Sequence, residues 1–448
     1  MNYAAEEIEE MLSAKRYREL KSIFSSMEPA DIALVFEDAP DRHLPLLYRL
    51  LPKDMAAEVF VEMDNDLQEF LISAFSDREL KEVLDEMYLD DTVDIIEEMP
   101  ASVVKRILRQ TDAETRRRIN EILQYPDDSA GSIMTIEYVS LKADMTVEDA
   151  FTRIRRTGED KETIYTCYVT DKDRRLLGVV SVRTLLLAEP GDRISEIMET
   201  NIISVSTLED KENVARQFGK YDYLALPVVD RENRLVGIVT IDDAMDVLQE
   251  ENTEDIEMMA AITPTDKSYM KTGVFETWKK RIPWLLLLMI SATFTGAIIT
   301  HYEAALGAYV VLTAFIPMLM DTGGNAGGQA SVSIIRGLAL GEIEYSDTPK
   351  IIIKEALVAL ACGITLACAN FIKMMLIDRI APVTASVVCL TLIISVLAAK
   401  VVGCTLPIAA KRIGFDPAVM ASPFITTIVD AISLVVYFRI ATQLLHIG

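Results

Sequence analysis

The sequence predicts a multidomain fold: an all-α helical-repeat N-terminal domain, an α/β domain of two tandem repeats, and an α-helical transmembrane domain of five helices. Three observations predict it. Charge is divided unevenly along the 448 residues, uncharged apolar runs recur only in the later part, and a β-branched motif returns after 59 residues. The length by itself argues for two to four domains. Boundaries are expected at 1–130, 131–249 (as 131–190 and 191–249), 250–281 and 282–448.

The chain carries 44 Lys and Arg against 69 Asp and Glu, a net charge of −25. Residues 1–270 hold 31 basic and 59 acidic side chains, whereas 271–448 hold 13 and 10. Such an acidic head repels nucleic-acid phosphates and attracts cations. Of the five cysteines, Cys362, Cys368, Cys389 and Cys404 lie in the apolar part. There is no CxxC and no metal-ligand spacing with the three histidines, which disfavours a disulfide framework or a thiolate zinc site. The acidic start, Met1 to Leu12, does not read as a secretory signal.

Residues 1–130 read as helices throughout. Pro29-Ala30-Asp31 and Pro52-Lys53-Asp54 open similar segments, each leading to a Val-Phe pair (Val35-Phe36, Val59-Phe60), and Ser76-Asp77 opens another. This is a short helical repeat, expected to stack. Its role is either a partner or regulatory surface or that of an ordinary helical domain.

Over 131–250 short β-branched runs alternate with charged helices. Leu176-Leu177-Gly178 through Ser181 parallels Leu235-Val236-Gly237 through Thr240. Asp171 and Asp230 open the preceding turns, and Ser132-Ile133-Met134 parallels Glu196-Ile197-Met198. Two βαββα units are expected to pack together, since neither buries its sheet alone. From Asp242 to Glu257 the chain is strongly acidic, and at helical spacing Asp243, Asp246, Glu250 and Glu254 share a face. The face is either solvated or bridged by divalent ions.

After Lys279-Lys280-Arg281 come the apolar runs Ile282–Thr300, Ala304–Met320, Ala356–Ile372, Ile380–Ala399 and Pro417–Phe438. Each is about as long as a bilayer core requires. Placing the acidic head inside puts ten basic residues on the cytoplasmic side and three (Lys373, Arg379, Arg439) outside, as the positive-inside rule asks. Five spans then put the C-terminus outside. The apolar stretch Val401–Ala410 suggests that helix four continues past Lys400.

Asp430 falls near mid-bilayer, where a carboxylate needs a polar pathway or a partner such as Lys400. Ser422 and Thr426 share its helical face. The run Asp321-Thr322-Gly323-Gly324-Asn325-Ala326-Gly327-Gly328-Gln329 is too glycine-rich for a stable helix interior and predicts unwound backbone lining a cavity. Its carbonyls, with Asn325 and Gln329, suit a cation or its hydration water. Asp321-Thr322-Gly323 also spells the aspartic-protease triplet, whose dyad would require Asp430 as second carboxylate.

The tandem α/β repeats resemble a CBS-domain pair, a module that senses ligands, commonly adenine nucleotides. The motif of that family is complete in the second repeat (Gly237, Thr240, Asp243) and ends in Thr184 in the first (Gly178, Ser181). The order of the whole chain resembles the MgtE family of magnesium transporters. The most specific elements are Pro317 with Thr322 to Gln329, and Asp416-Pro417 with Ser422-Pro423 and Asp430. The resemblance implies a homodimeric Mg²⁺ channel of the bacterial inner membrane, with cytoplasmic N-terminal domains and no enzymatic activity. Asp430 from each subunit would hold hydrated Mg²⁺. Ser422, Thr426, Gly323, Gly324, Asn325, Gly327 and Gln329 would line the pore. Cytosolic regulatory Mg²⁺ would be held by Glu58, Asp90, Asp94, Asp210, Glu212, Asp222, Asp243, Asp246, Glu251, Glu254 and Asp255, closing the channel through an acidic connecting helix over 250–281. Thr184 stands where the family's ATP site has Asp, which argues against ATP binding here. The alternatives are a pore for Mn²⁺ or Co²⁺, or a CBS nucleotide sensor merely tethered to the membrane.

Overall fold

Prolines and small polar residues cut the first 125 residues into short helices. The structure, a computed structural model, describes residues 5–446 other than 160, 266–268, 271, 304–306, 308 and 421. It divides into two compact units, 1–248 and 249–448.

The first unit begins with α1 (Ala5–Ser13), α2 (Tyr17–Phe24), α3 (Pro29–Glu37), α4 (Leu44–Tyr48), α5 (Lys53–Val61), α6 (Asn65–Ala74), α7 (Asp77–Leu84), α8 (Leu89–Glu98), α9 (Ala101–Gln110) and α10 (Ala113–Ile122). The expected starts are where helices begin: Pro29 is the first residue of α3, Pro52 precedes α5, and Ser76 caps α7 in a capping box with Glu79. Helix α3 packs on α5, α5 on α7 and α7 on α9, while α4 packs on α6 and α8 on α10. Their shared core contains Leu20, Phe24, Phe36, Leu47, Phe60, Leu71, Val93 and Ile107. Arg106 of α9 donates to the carbonyls of Ile72 and Phe75, holding the corner between α6 and α7.

The α/β domain follows as β1 (Tyr138–Lys142), α11 (Val147–Thr157), β2 (Thr163–Thr170), β3 (Leu176–Ser181), α12 (Val182–Leu187), α13 (Ile194–Ile197), β4 (Val205–Ser206), α14 (Lys211–Tyr221), β5 (Ala225–Val229) and β6 (Leu235–Thr240). Each repeat forms one three-stranded sheet, parallel then antiparallel, in the orders β1-β2-β3 and β4-β5-β6. The Asp171 and Asp230 side chains each accept two backbone N–H groups in the equivalent β2–β3 and β5–β6 turns.

The Ile-Met segments are distributed across the repeats. Thr135, following Met134, exchanges both backbone hydrogen bonds with Ile238 of β6, and Glu199, following Met198, does so with Val179 of β3. Residues ahead of the first repeat thus complete the second sheet. This explains Gly178 and Gly237: a Cβ there would stand 2.7 Å from the sulfur of Met198 or Met134. Tyr168, Leu176, Ala225, Val229, Leu235 and Ile238 fill a core common to both sheets.

Helix α15 (Ile241–Met259) leaves β6 and runs continuously across the boundary of the two units. The acidic helix therefore starts and ends earlier than the expected 250–281. Thr240 and Asp243 cap it at its first turn, and Pro264 lies just beyond its end.

The second unit contains α16 (Val274–His301), α17 (Ile316–Ala339), α18 (Thr348–Leu376), α19 (Pro382–Arg412) and α20 (Ser422–Leu444). Among the described residues α16, α18, α19 and α20 are both long and apolar enough to cross a membrane. Helix α17, with 24 residues, is long enough at about 1.5 Å per residue but is diluted by glycine and polar side chains.

Two expectations need correction here. The apolar run Ala304–Met320 is not one span: Val310–Phe315 is a 3₁₀ turn, Pro317 sits in the first turn of α17, and 304–306 and 308 lie outside the described residues. The glycine-rich run is not unwound either, since residues 321–329 lie inside α17. Packing supplies what propensity lacks. Cβ atoms at Gly323, Gly324 and Gly327 would press on Val429, Thr426 and Ile425 of α20, and one at Gly403 of α19 would strike the Gly327 backbone. Glycine lets three helices approach this closely. Helix α19 does continue past Lys400 to Arg412, as expected.

Candidate functional site

The membrane carboxylate is built by α20 packing on α17. Val429, fully buried, lies over Gly323, and Thr426 lies over Gly324. One turn after Thr426 comes Asp430, half-buried, whose Oδ1 is enclosed without a hydrogen-bond partner. Asp321 of α17 is close enough to act on it electrostatically. A buried carboxylate oxygen without a donor is costly unless a cation or water meets it.

Lys400 does not serve as that partner. Its Nζ lies 3.3 Å from Glu355 Oε2 of α18, with only 7% of the lysine side chain exposed and 15% of the glutamate. Sequence reasoning missed Glu355, which sits one residue before the apolar run at 356 and so reads as a flanking charge.

The residues expected along the pore divide between two faces of α17. Gly323, Gly324 and Gly327 are buried against α19 and α20, whereas Asp321, Asn325 and Gln329, at i, i+4 and i+8, form an exposed stripe. The stripe borders a cavity of about 520 Å³ that also reaches Thr322, Thr365 and Lys400. The side chain of Ser422 lies outside the described residues.

In the first unit the acids converge on the start of α8 and the start of α15. Asp90 is 7% exposed, and its Oδ1 has no hydrogen-bond partner. Burial first, then the charge of Asp243, raises its carboxyl well above the ordinary range. The same two causes push Asp91 up to about 7. Burial, then Asp242 and Asp243, push Glu162 up to about 8, and burial pushes Asp243 itself up to about 6. Asp94 lies on the exposed side of α8, still within the field of Asp243. Asp246 is exposed one turn after Asp243 and is also raised, by burial and then Asp242. Glu58 is exposed and lines a cavity of about 420 Å³ with Asp91 and Glu137.

Other expected ligands have local duties. Asp210 caps α14, accepting the Asn213 N–H at 3.0 Å, and Glu212 pairs with Arg216. Asp222 ends that helix in a left-handed conformation and faces a cavity of about 270 Å³ between the two CBS-like sheets. Glu251, Glu254 and Asp255 belong to the far half of α15, in the second unit. There Met258 and Met259 pack against Ile335 of α17 and Ala418 just before α20.

Thr184, where the first repeat departs from the motif, hydrogen-bonds Ser181 at 2.9 Å. Asp243 receives the equivalent bond from Thr240. The substitution keeps this local bond and removes the charge. Both Ser181 and Thr184 line the 270 Å³ cavity, so the departure does not close the pocket.

Comparison with known proteins gives a consistent picture. The family model described as MgtE, divalent cation transporter, matches residues 316–440, that of the MgtE intracellular N domain matches 27–128, and the CBS domain matches 130–191 and 194–250. A magnesium transporter MgtE of Thermus thermophilus is 36% identical over 447 residues, covering 98% of each chain. One of Bacillus subtilis is 33% identical over 444 residues, covering 97% of this chain and 96% of its own. Among solved structures, the cytosolic domain of the Mg²⁺ channel MgtE in complex with ATP is 38% identical with a TM-score of 0.52, covering 54% of this chain and 99% of that one.

Proposed function

Since the chain belongs to the MgtE family of magnesium transporters, we propose that it is a homodimeric Mg²⁺-selective channel for uptake across the bacterial inner membrane, closed by cytosolic Mg²⁺. The observation that carries the pore reading is Asp430, an enclosed carboxylate oxygen without a donor on an otherwise uncharged stretch of α20. Mg²⁺ dehydrates reluctantly, so one carboxylate from each of two subunits, holding the ion through its waters, meets its coordination demand. The exposed Asp321–Asn325–Gln329 stripe supports a second copy as partner, because polar side chains at membrane depth face protein or water rather than lipid. With α17 counted as a span there are five, so the two ends would lie on opposite sides, and the ten-to-three excess of basic residues supports an acidic head in the cytoplasm and a C-terminus outside.

Closure would work through α15. Its acidic first turn lies in the Asp90–Asp91 field, and its last turn rests on Ile335 and Ala418 beside α17 and α20. Mg²⁺ bound among the acids would hold this helix at the inner mouth. The cavity lined by Ser181, Thr184 and Asp222 supports a second ligand, a nucleotide, since the relative solved with ATP has the same domain pair and Thr184 keeps the local hydrogen bond.

Uptake into vesicles containing the purified chain tests the pore. Asp430→Asn is expected to abolish Mg²⁺ entry while the dimer elutes unchanged; wild-type rates would refute the assignment. Parallel runs with Mn²⁺ and Co²⁺ decide between the selective channel and a general divalent pore.

A further inference from the structure

We propose that a basic cavity at the β1 edge of the first CBS repeat binds a phosphate-rich anion, at a place separate from the cavity between the two sheets. Lys142, Arg153, Lys161 and Arg174 line about 400 Å³ of space there, together with the hydroxyls of Ser140, Thr157 and Thr170. Among the described residues no acid lines it. It shares no lining residue with the 270 Å³ cavity of Ser181 and Thr184.

The fold gathers these cations from different elements. Ser140 and Lys142 alternate along β1, an edge strand, and so share one of its faces. Parallel pairing sets Lys142 beside Thr170 of β2, and its ammonium donates to the Thr170 hydroxyl at 3.0 Å. It also donates to the Asp171 carbonyl at 2.6 Å, which holds the charge near the turn that carries Arg174. Arg153 and Thr157 are one turn apart at the end of α11, and Lys161 follows shortly before β2.

Residues 1–270 carry 59 acids against 31 bases, so a base here readily finds an acid. Arg49 is held by Glu79, Arg118 by Glu114, Arg216 by Glu212 and Arg234 by Asp230. Among the described residues none of the four cavity cations forms an ion pair, and the half-buried Arg153 and Lys161 side chains have no hydrogen-bond partner either. Like charges gathered in this way repel, and a bound anion relieves the repulsion.

The second repeat supplies a contrast. Asn233 stands 59 positions after Arg174, and both adopt a left-handed backbone, with φ of 61° and 66°. The Asn233 amide donates to the Leu176 carbonyl at 3.3 Å, and Arg174 Nη2 makes the equivalent bond to the Leu235 carbonyl at 3.0 Å. A neutral amide therefore suffices for this link between the sheets, and it suits the left-handed position better than arginine does. The positive charge of Arg174 is surplus to the fold.

The donor set selects the ligand. Guanidinium groups present a fork of N–H donors that matches phosphate oxygens, and four cations suit an anion with several charges. Two sources carry this chemistry: a free oligophosphate, and a lipid headgroup with two phosphates.

The test uses the full chain in phosphatidylcholine nanodiscs at one fixed free Mg²⁺ concentration, titrated calorimetrically with inorganic triphosphate. Wild type is compared with Arg153→Gln/Lys161→Gln, which removes two charges that the fold does not use. The control, Arg155→Gln/Lys172→Gln, makes the same charge change at exposed positions outside the cavity. The cavity variant is expected to bind triphosphate at least tenfold more weakly, and the control within twofold of wild type. Equal affinity in the cavity variant, or equal weakening in the control, would overturn the site. Repeating the titration in nanodiscs that contain cardiolipin assigns the source. A fall in affinity shared by wild type and control but absent from the cavity variant identifies a headgroup in the site, whereas unchanged affinity identifies a free oligophosphate. Wild type that binds no triphosphate in either nanodisc would overturn the proposal and leave the Mg²⁺ channel reading standing, since none of these residues belongs to the pore.

Discussion

Lys400 keeps its charge deep in the helical bundle because Glu355 stands 3.3 Å away, and neither side chain has more than 15% exposure. Removing one partner strands the other. Lys400→Met is expected to cost about 3–5 kcal/mol, while Lys400→Met with Glu355→Met should recover most of that. Thermal unfolding in detergent checks both, and a double variant as unstable as the single would contradict the pairing. Gly403 sets a second constraint, since any Cβ there falls on the Gly327 backbone. Gly403→Ala forces α17 and α19 apart at an overpacking cost of about 1–3 kcal/mol, and it should lower the melting temperature more than Gly296→Ala, where the space is open. The sequence marks Lys400 and Asp430 as unusual but holds no rule for pairing them. Which carboxylate Lys400 meets depends on the rotation of α19 against α18, and only packing decides that.

At the scale of elements, the acids around α8 and α15 make stability depend on pH. Asp91 is raised to about 7, Glu162 to about 8 and Asp243 to about 6, each mainly by burial, against ordinary values of 3.8 or 4.5. The folded chain therefore binds protons that the unfolded chain has already released between about pH 4 and 8. Stability from these groups is present below that window and is lost as pH rises through it. In chelator the first unit should melt lower at pH 8.5 than at pH 5.5, and millimolar Mg²⁺ should flatten the difference by replacing the protons. Calorimetry of the full chain that found no fall in melting temperature over this range would show the acids to be solvated. Much of this region is legible beforehand: the doubled Gly178 and Gly237 motifs give both sheets, and helical spacing gives the acidic face of α15. Glu137 and Glu162 are not legible, because their adjacency, with the Glu162 N–H on the Glu137 carbonyl, comes from the parallel register of β1 and β2. The glycine-rich run misleads for a related reason. Propensity describes an isolated helix, whereas α17 is held by α19 and α20 on the side where the glycines lie.

For the molecule as a whole, the charge split between an acidic head and an apolar tail appears directly in the sequence, and one continuous helix, α15, runs from the first compact unit into the second. That continuity gives gating a physical route. A ligand shifts a two-state equilibrium only by its difference in affinity for the two states, and reversing a population from 1:99 to 99:1 requires a difference of about 10⁴. A few divalent sites that form only when the acids of the head are drawn together are sufficient, because each adds its own factor. Without ions, 31 basic residues face 59 acidic ones over 1–270, and self-repulsion favours separation. On the proposed reading, bound ions would draw the start of α15 toward α8, while its Met258–Met259 end packs against Ile335 and Ala418. Patch-clamp current against cytoplasmic Mg²⁺ tests this route in an Asp90→Ala, Asp246→Ala, Glu254→Ala variant. One of these acids is buried on α8, and the others lie on the two halves of α15. Neutralising them removes both the repulsion that opens the head and the ligands that close it, so sensitivity to Mg²⁺ should fall whichever effect is larger. The inhibition midpoint is expected to move to at least tenfold higher Mg²⁺, or the current to become independent of it, with conduction through Asp430 preserved. Inhibition curves that superimpose on wild type would place the sensor outside these residues.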